Sequence, residues 1–170
     1  MLDRAASLSS GAEIFAYRVA NPGDYGVVEF GDNQRIIGLE EKPAMPKSNY
    51  AATGLYFYDE TVVERAKALT PSARGEYEIT DLNLSYMKDG ALRAQVMKRG
   101  YAWLDTGTPA ALLDAAQFVK TIEERQGMKI ACLEEIALHK GYITSEQVAA
   151  LAAPLAKTAY GKYLLDLVKA

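Results

Sequence analysis

The side chains best suited to chemistry sit at the ends of apolar runs, where α/β proteins usually build ligand sites. Glu40-Glu41-Lys42-Pro43 closes one such run over 35–41. Successive strand residues point to opposite faces. Glu41 and Lys42 could therefore share a ligand only where regular pleating stops, and Pro43 supplies that stop. A carboxylate accepts hydrogen bonds from sugar hydroxyls, and an ammonium meets a phosphate as a mobile point charge. The same residues equally fit a solvated strand end. Arg74, in the loop Pro71-Ser72-Ala73-Arg74-Gly75, could grip a phosphate through two parallel bonds or simply face water. Asp105 follows Tyr101-Ala102-Trp103-Leu104, read as a strand, and precedes Thr106-Gly107-Thr108. A carboxylate there suits Mg²⁺, which takes one or two carboxylates plus substrate phosphates, or it caps a turn. Trp103 fits a stacking ring or a core side chain. At Tyr25-Gly26 the missing side chain would let a sugar approach the backbone, although turn chemistry also explains the pair.

The remaining reactive types offer less. His139, the single histidine, lies in a polar helical stretch and reads as a surface residue. Cys132, the single cysteine, cannot form an internal disulfide and reads as a small buried hydrophobe. No Cys/His cluster has zinc spacing. With 19 Lys+Arg against 22 Asp+Glu, the net charge is −3, which gives no electrostatic reason to expect nucleic acid or an anionic membrane as partner. The first residues lack a signal-peptide core, and no apolar run approaches a membrane span. The expected setting is the reducing cytoplasm.

The elements that must position these groups are legible as periodicities. A helix over 2–9 leads to a strand around Ile14 and Ala16, then a turn at Asn21-Pro22-Gly23-Asp24. Runs 27–30 and 35–41 flank Gly31-Asp32-Asn33 as a hairpin, and 50–58 is a tyrosine-rich strand. Asp59 can cap a helix carrying Val62, Ala66 and Leu69, which Pro71 stops. Ile79, Leu82 and Tyr86 mark a second helix, closed by Gly90, and 92–97 is a strand. Thr108-Pro109 starts a helix with apolar face Leu112, Ala116, Val119 and Ile122, and Gly127 ends it. A short strand over 128–132 and a helix over 134–140 follow. Thr144 with Gln147 resembles a capping box, Pro154 breaks that helix, and Leu164 and Leu167 mark the last one. The tyrosines at 50, 56, 58, 77 and 86 are expected to pack, mostly in the core.

Taken in order, Glu-Glu-Lys-Pro, Thr-Gly-Leu-Tyr-Phe-Tyr-Asp, Arg-Gly-Glu-x-Glu-Ile-Thr-Asp and Arg-Gly-Tyr-Ala-Trp-Leu-Asp-Thr-Gly-Thr resemble the glucose-1-phosphate thymidylyltransferases, also called dTDP-glucose pyrophosphorylases. The resemblance runs from about Ser7 to the end. It implies an α/β fold: an incomplete Rossmann-like mixed sheet flanked by helices, with a C-terminal helical appendix. The expected domains are a sugar-phosphate-binding part over 1–127 and the appendix over 128–170. It implies synthesis of dTDP-glucose and pyrophosphate from dTTP and glucose 1-phosphate, with Mg²⁺, in the dTDP-rhamnose pathway. Tyr25, Gly26 and Glu41 would contact the glucose, Lys42 and Arg74 would hold its phosphate, and Trp103 would lie near the phosphates. Asp105 would bind Mg²⁺, and Glu135 and Ile136 would belong to a regulatory nucleotide site. Members are usually homotetramers. The family's Gly-x-Gly-Thr-Arg loop, its thymine-binding residues and its second metal-binding aspartate do not appear in this sequence. On this reading the chain is truncated, would bind dTTP only with an N-terminal part, and would be inactive alone. It would also expose an apolar sheet edge. Two alternatives stay open: a non-catalytic fragment or assembly module, and a nucleotidyltransferase of other base or sugar specificity.

Overall fold

Ala12–Arg18 (β1), Gly26–Phe30 (β2), Ile36–Glu41 (β3), Tyr50–Tyr58 (β4) and Leu92–Met97 (β5) are the strands of one mixed sheet, ordered β3-β2-β4-β1-β5, with the first five residues of β1 all buried. They were placed in a computed structural model that describes residues 1–169. β1 runs antiparallel to β4 and parallel to β5, and β2 and β3 form the expected antiparallel hairpin. β2 pairs with β4 only at Val27 and Ala51. Beyond that pair, β4 has a ladder on its β1 side alone among the described residues, and Gly54 and Leu55 are exposed there. An exposed strand edge of this kind is what the sequence reading expected.

Two compact units account for the chain, Met1–Trp103 and the residues from Leu104 onward. The helix that follows Thr108 belongs to the second of these units.

In the first unit, Leu2–Ala6 (α1), Val62–Lys67 (α2) and Ile79–Lys88 (α3) accompany the sheet. The core joins Ile14, Ala16, Val28 and Leu39 from the strands to Leu82 and Tyr86 of α3. Burying a large side chain of this kind stabilises by roughly 1.5–3 kcal/mol. Asp59 acts just ahead of α2. Its carboxylate accepts from the Thr61 backbone at 3.0 Å, from Gly11 N–H at 2.6 Å and from the Tyr86 hydroxyl at 3.0 Å. Thr61 itself takes the N-cap position. Of the five tyrosines expected to pack, Tyr86 is fully buried and Tyr77 is 68% exposed.

The second unit contains Pro109–Gln126 (α4), Leu133–His139 (α5), Ser145–Ala152 (α6) and Ala159–Leu167 (α7). Thr108 caps α4, its hydroxyl accepting from Ala111 N–H, and Gly127 closes it at φ +68°. No residue of α4 is buried, and Leu112 of the expected apolar face is 57% exposed. The Thr144–Gln147 capping box is present, and Pro154 lies in a 3₁₀ turn after α6. Cys132, Val148, Ala152 and Leu164 form a small core. His139 is exposed.

Two predicted strands do not form. Residues 101–104 have no ladder partner. An unpaired extended segment gains no sheet bonds, and its groups turn to the neighbouring aromatics instead. At 128–132 the chain turns, with Ala131 at φ +55°, Lys129 ion-paired to Glu123 and Ile130 N–H bonded to the same carboxylate.

Candidate functional site

The hairpin register sets Gly26 opposite Glu41. A Cβ on Gly26 would lie 3.2 Å from Glu41 Oε2 and 3.2 Å from Thr80 Oγ1. The hydrogen at this position therefore keeps the backbone close to a carboxylate and leaves that face unobstructed. Thr80, 4% exposed in the first turn of α3, donates its hydroxyl to Glu41 Oε2 at 2.6 Å. That bond holds one carboxylate oxygen in place, and the group retains further acceptor capacity for a ligand hydroxyl.

Regular pleating ends at the next residue. Lys42 has φ +43°, and its N–H donates to Tyr25 O at 3.0 Å. A non-glycine residue in the left-handed region is uncommon and is held there by its surroundings. The chain thus leaves the strand direction at the ammonium-bearing residue.

Arg74 occupies the loop before α3, where its guanidinium is ion-paired to Glu76 and lies 3.4 Å from Glu78. Ser72 braces this turn, accepting from Arg74 N–H at 3.2 Å and donating to Glu78 at 2.9 Å. The hydrogen bond to Glu76, then the charges of Glu76, Glu78 and Glu41, raise the Arg74 pKa above its ordinary value. Glu76 is pushed below the usual carboxylate range, first by its bond to Arg74 and more weakly by Lys42. Glu41, Lys42, Arg74 and Glu76 therefore share one local field.

Aromatic rings form the adjoining wall. Trp103 meets Tyr25 edge-on at 5.1 Å between ring centres and lies 6.0 Å from Tyr17. The Tyr17 hydroxyl donates to Tyr101 O at 3.0 Å and so ties down the segment that carries Trp103. Burial, assisted by the charge of Glu41, raises the Tyr56 pKa.

The first unit thus links Tyr25, Gly26, Glu41, Lys42 and Trp103 by direct contacts, with Arg74 in the same electrostatic neighbourhood. A family model, Nucleotidyl transferase, matches residues 1–122. The chain belongs to the nucleotidyl transferase family. It is 54% identical to a glucose-1-phosphate thymidylyltransferase of Neisseria meningitidis, over 99% of this chain and 58% of that protein. It is 56% identical to one of Mycobacterium tuberculosis, over the same two shares. A solved Bacillus anthracis protein, named for the same activity and bound to sucrose, superposes with TM-score 0.61 at 41% identity. That match covers 69% of this chain and 46% of the other. The chain spans about 58% of the length of these curated relatives.

Three sequence-predicted residues lie in the second unit of this nucleotidyl transferase chain. Asp105 sits in the exposed loop before α4, with its Oδ2 3.1 Å from where a Cβ on Gly107 would stand. Glu135 accepts from the Tyr163 hydroxyl at 2.6 Å, and Ile136 is 48% exposed. No group of three or more metal-ligating side chains occurs among the described residues. A lone Asp105 carboxylate still suits Mg²⁺, which keeps most of its coordination shell for water and substrate phosphates.

Sequence reasoning missed Thr80 and the Glu76–Glu78 pair. Thr80 was visible as the hydroxyl in Glu-Ile-Thr-Asp at a helix start. Nothing local announced that it points at a carboxylate 39 residues earlier.

Proposed function

We propose that this chain carries the sugar-phosphate site of a glucose-1-phosphate thymidylyltransferase. The observation that carries the reading is the meeting of Gly26, Glu41 and Thr80 at one strand end, beside Lys42 and Arg74. The names of the relatives support the choice of substrate.

Glucose lies over Gly26 with Glu41 accepting from a ring hydroxyl and Tyr25 beside it. Lys42 and Arg74 hold the 1-phosphate, and Arg74 exchanges a carboxylate partner for it. A phosphate oxygen of the sugar then bonds to the α-phosphorus of dTTP as the bond to the pyrophosphate breaks, giving dTDP-glucose for dTDP-rhamnose synthesis. Catalysis of this kind depends mainly on positioning and on neutralising charge. Asp105 would hold Mg²⁺, which neutralises phosphate charge when bound. Trp103 walls the phosphates, and Glu135 and Ile136 contribute to a regulatory nucleotide site. Recognition of dTTP only together with an N-terminal part, a cytoplasmic homotetramer and the division into 1–127 and 128–170 belong to the same proposal.

The test is titration of glucose 1-phosphate into the chain, followed by NMR. Losing a charge-assisted contact worth roughly 1.5–3 kcal/mol, Lys42→Met is expected to weaken binding at least about tenfold. Undiminished binding removes Lys42 from the phosphate role. The 58% share of the relatives favours a second reading for the polypeptide by itself, as a non-catalytic fragment or assembly module. dTDP-glucose synthesis by the purified chain would overturn that second reading.

A further inference from the structure

The first unit contains a cavity of about 620 Å³ that the sugar-phosphate reading does not use. Four parts of the unit line it: α1 with the loop after it, β1, the β2–β3 turn with the start of β3, and β5. All but β1 contribute one guanidinium, from Arg4, Arg35 and Arg93. Glu13 is the sole carboxylate in the lining, so two positive charges remain in excess on a chain whose net charge is −3. Glu13 is 6% exposed and already engaged, 3.2 Å from Arg4 and 2.5 Å from Gln95 Nε2.

The other two guanidiniums are not neutralised. Arg93 donates at 2.8 Å to an uncharged acceptor, Ser10 O. The Arg35 side chain has no ion pair or hydrogen bond among the described residues. Asn33 and Gln34, which also line the cavity, both have left-handed backbones, at φ 55° and 59°. For glutamine that conformation is costly, and such strain concentrates at ligand clamps. Strand β2 separates this turn from the Gly26–Glu41 end by five residues, or roughly 15 Å at the rise of an extended chain.

We propose that this groove is a second anion site, one that takes the diphosphate group of a small molecule. Guanidinium forks match phosphate oxygens in pairs. Forks supplied from several sides of a cavity suit an extended diphosphate better than a single phosphate. The diphosphate could be free pyrophosphate or part of a nucleotide. The proposal does not rest on the sugar-phosphate reading.

Calorimetry on the whole chain tests it with inorganic pyrophosphate, orthophosphate and thymidine diphosphate. Pyrophosphate is expected to bind at least tenfold more tightly than orthophosphate and to weaken as salt rises. Arg35→Gln and Arg93→Gln should each weaken it fivefold or more, while Arg125→Gln, in the last turn of α4 and outside the groove lining, leaves it unchanged. Thymidine diphosphate binding as tightly as pyrophosphate supports recognition of the diphosphate alone, and tighter binding supports a nucleotide. No heat with pyrophosphate overturns the proposal. So does retention of affinity in both arginine variants, with folding verified by circular dichroism. A loss in Arg125→Gln equal to that in the groove variants shows that the heat follows net charge alone and also overturns it.

Discussion

In the sheet unit, the groups that shape the candidate site are fixed by partners far away in sequence. Thr80 holds Glu41, Asp59 holds Gly11, and Tyr17 holds Tyr101. In the helical unit long-range bonds also occur, as from Tyr163 to Glu135, but the helix starts are held locally. Thr108, Thr144 and Thr158 each accept from the backbone N–H three residues on. Distant anchors make a site specific to one fold, whereas caps stabilise a helix wherever it is placed. The two kinds of bond should therefore fail differently.

The largest expected effect is at the distant anchors. Tyr86 is fully buried, stacks on Tyr58 at 5.5 Å, lies beneath the Arg65 guanidinium at 4.1 Å and donates to Asp59. Tyr86→Ala should cost about 4 kcal/mol in urea unfolding. A loss no larger than that of a helix cap would break the comparison. Thr144→Ala in the capping box should cost about 1 kcal/mol, confined to the helical unit and read from the same experiment.

The smallest effect sharpens the comparison through pH. Hydrogen bonds from Thr61, then Gly11, lower the Asp59 carboxyl to about 2, well below the unfolded value near 4. A depressed folded pKa gives stability that is fully present above the unfolded value and is lost as the carboxyl takes up a proton. The melting temperature should therefore fall as pH drops from about 4 towards 2. Asp59→Asn should remove that part of the slope. An unchanged slope would show that Asp59 is not the anchor it resembles.

What was legible in the sequence follows the same division. Strands 50–58 and 92–97, the Thr108 and Thr144 caps and the Gly127 stop were readable because each depends on residues within a few positions. The strand-like runs at 101–104 and 128–132 misled because pairing is decided elsewhere in the chain. Lys42 and Glu41 could be picked out at a strand end. The approach of Thr80, and the gathering of Arg4, Arg35 and Arg93 around one groove, needed coordinates. The sequence could not say that β1 would lie between β4 and β5, since neither neighbour follows it directly in the chain.

That placement of β1 bears on synthesis. β1 pairs in parallel with β5, aligning Ala12 with Leu92. During translation the early strand must wait, half-covered, until the segment ending at Met97 clears the ribosome. Long-range parallel pairing is slow to form, and the waiting surface is open to wrong partners. A nascent chain paused before that point should therefore depend on chaperones, and this dependence should end abruptly once β5 has emerged.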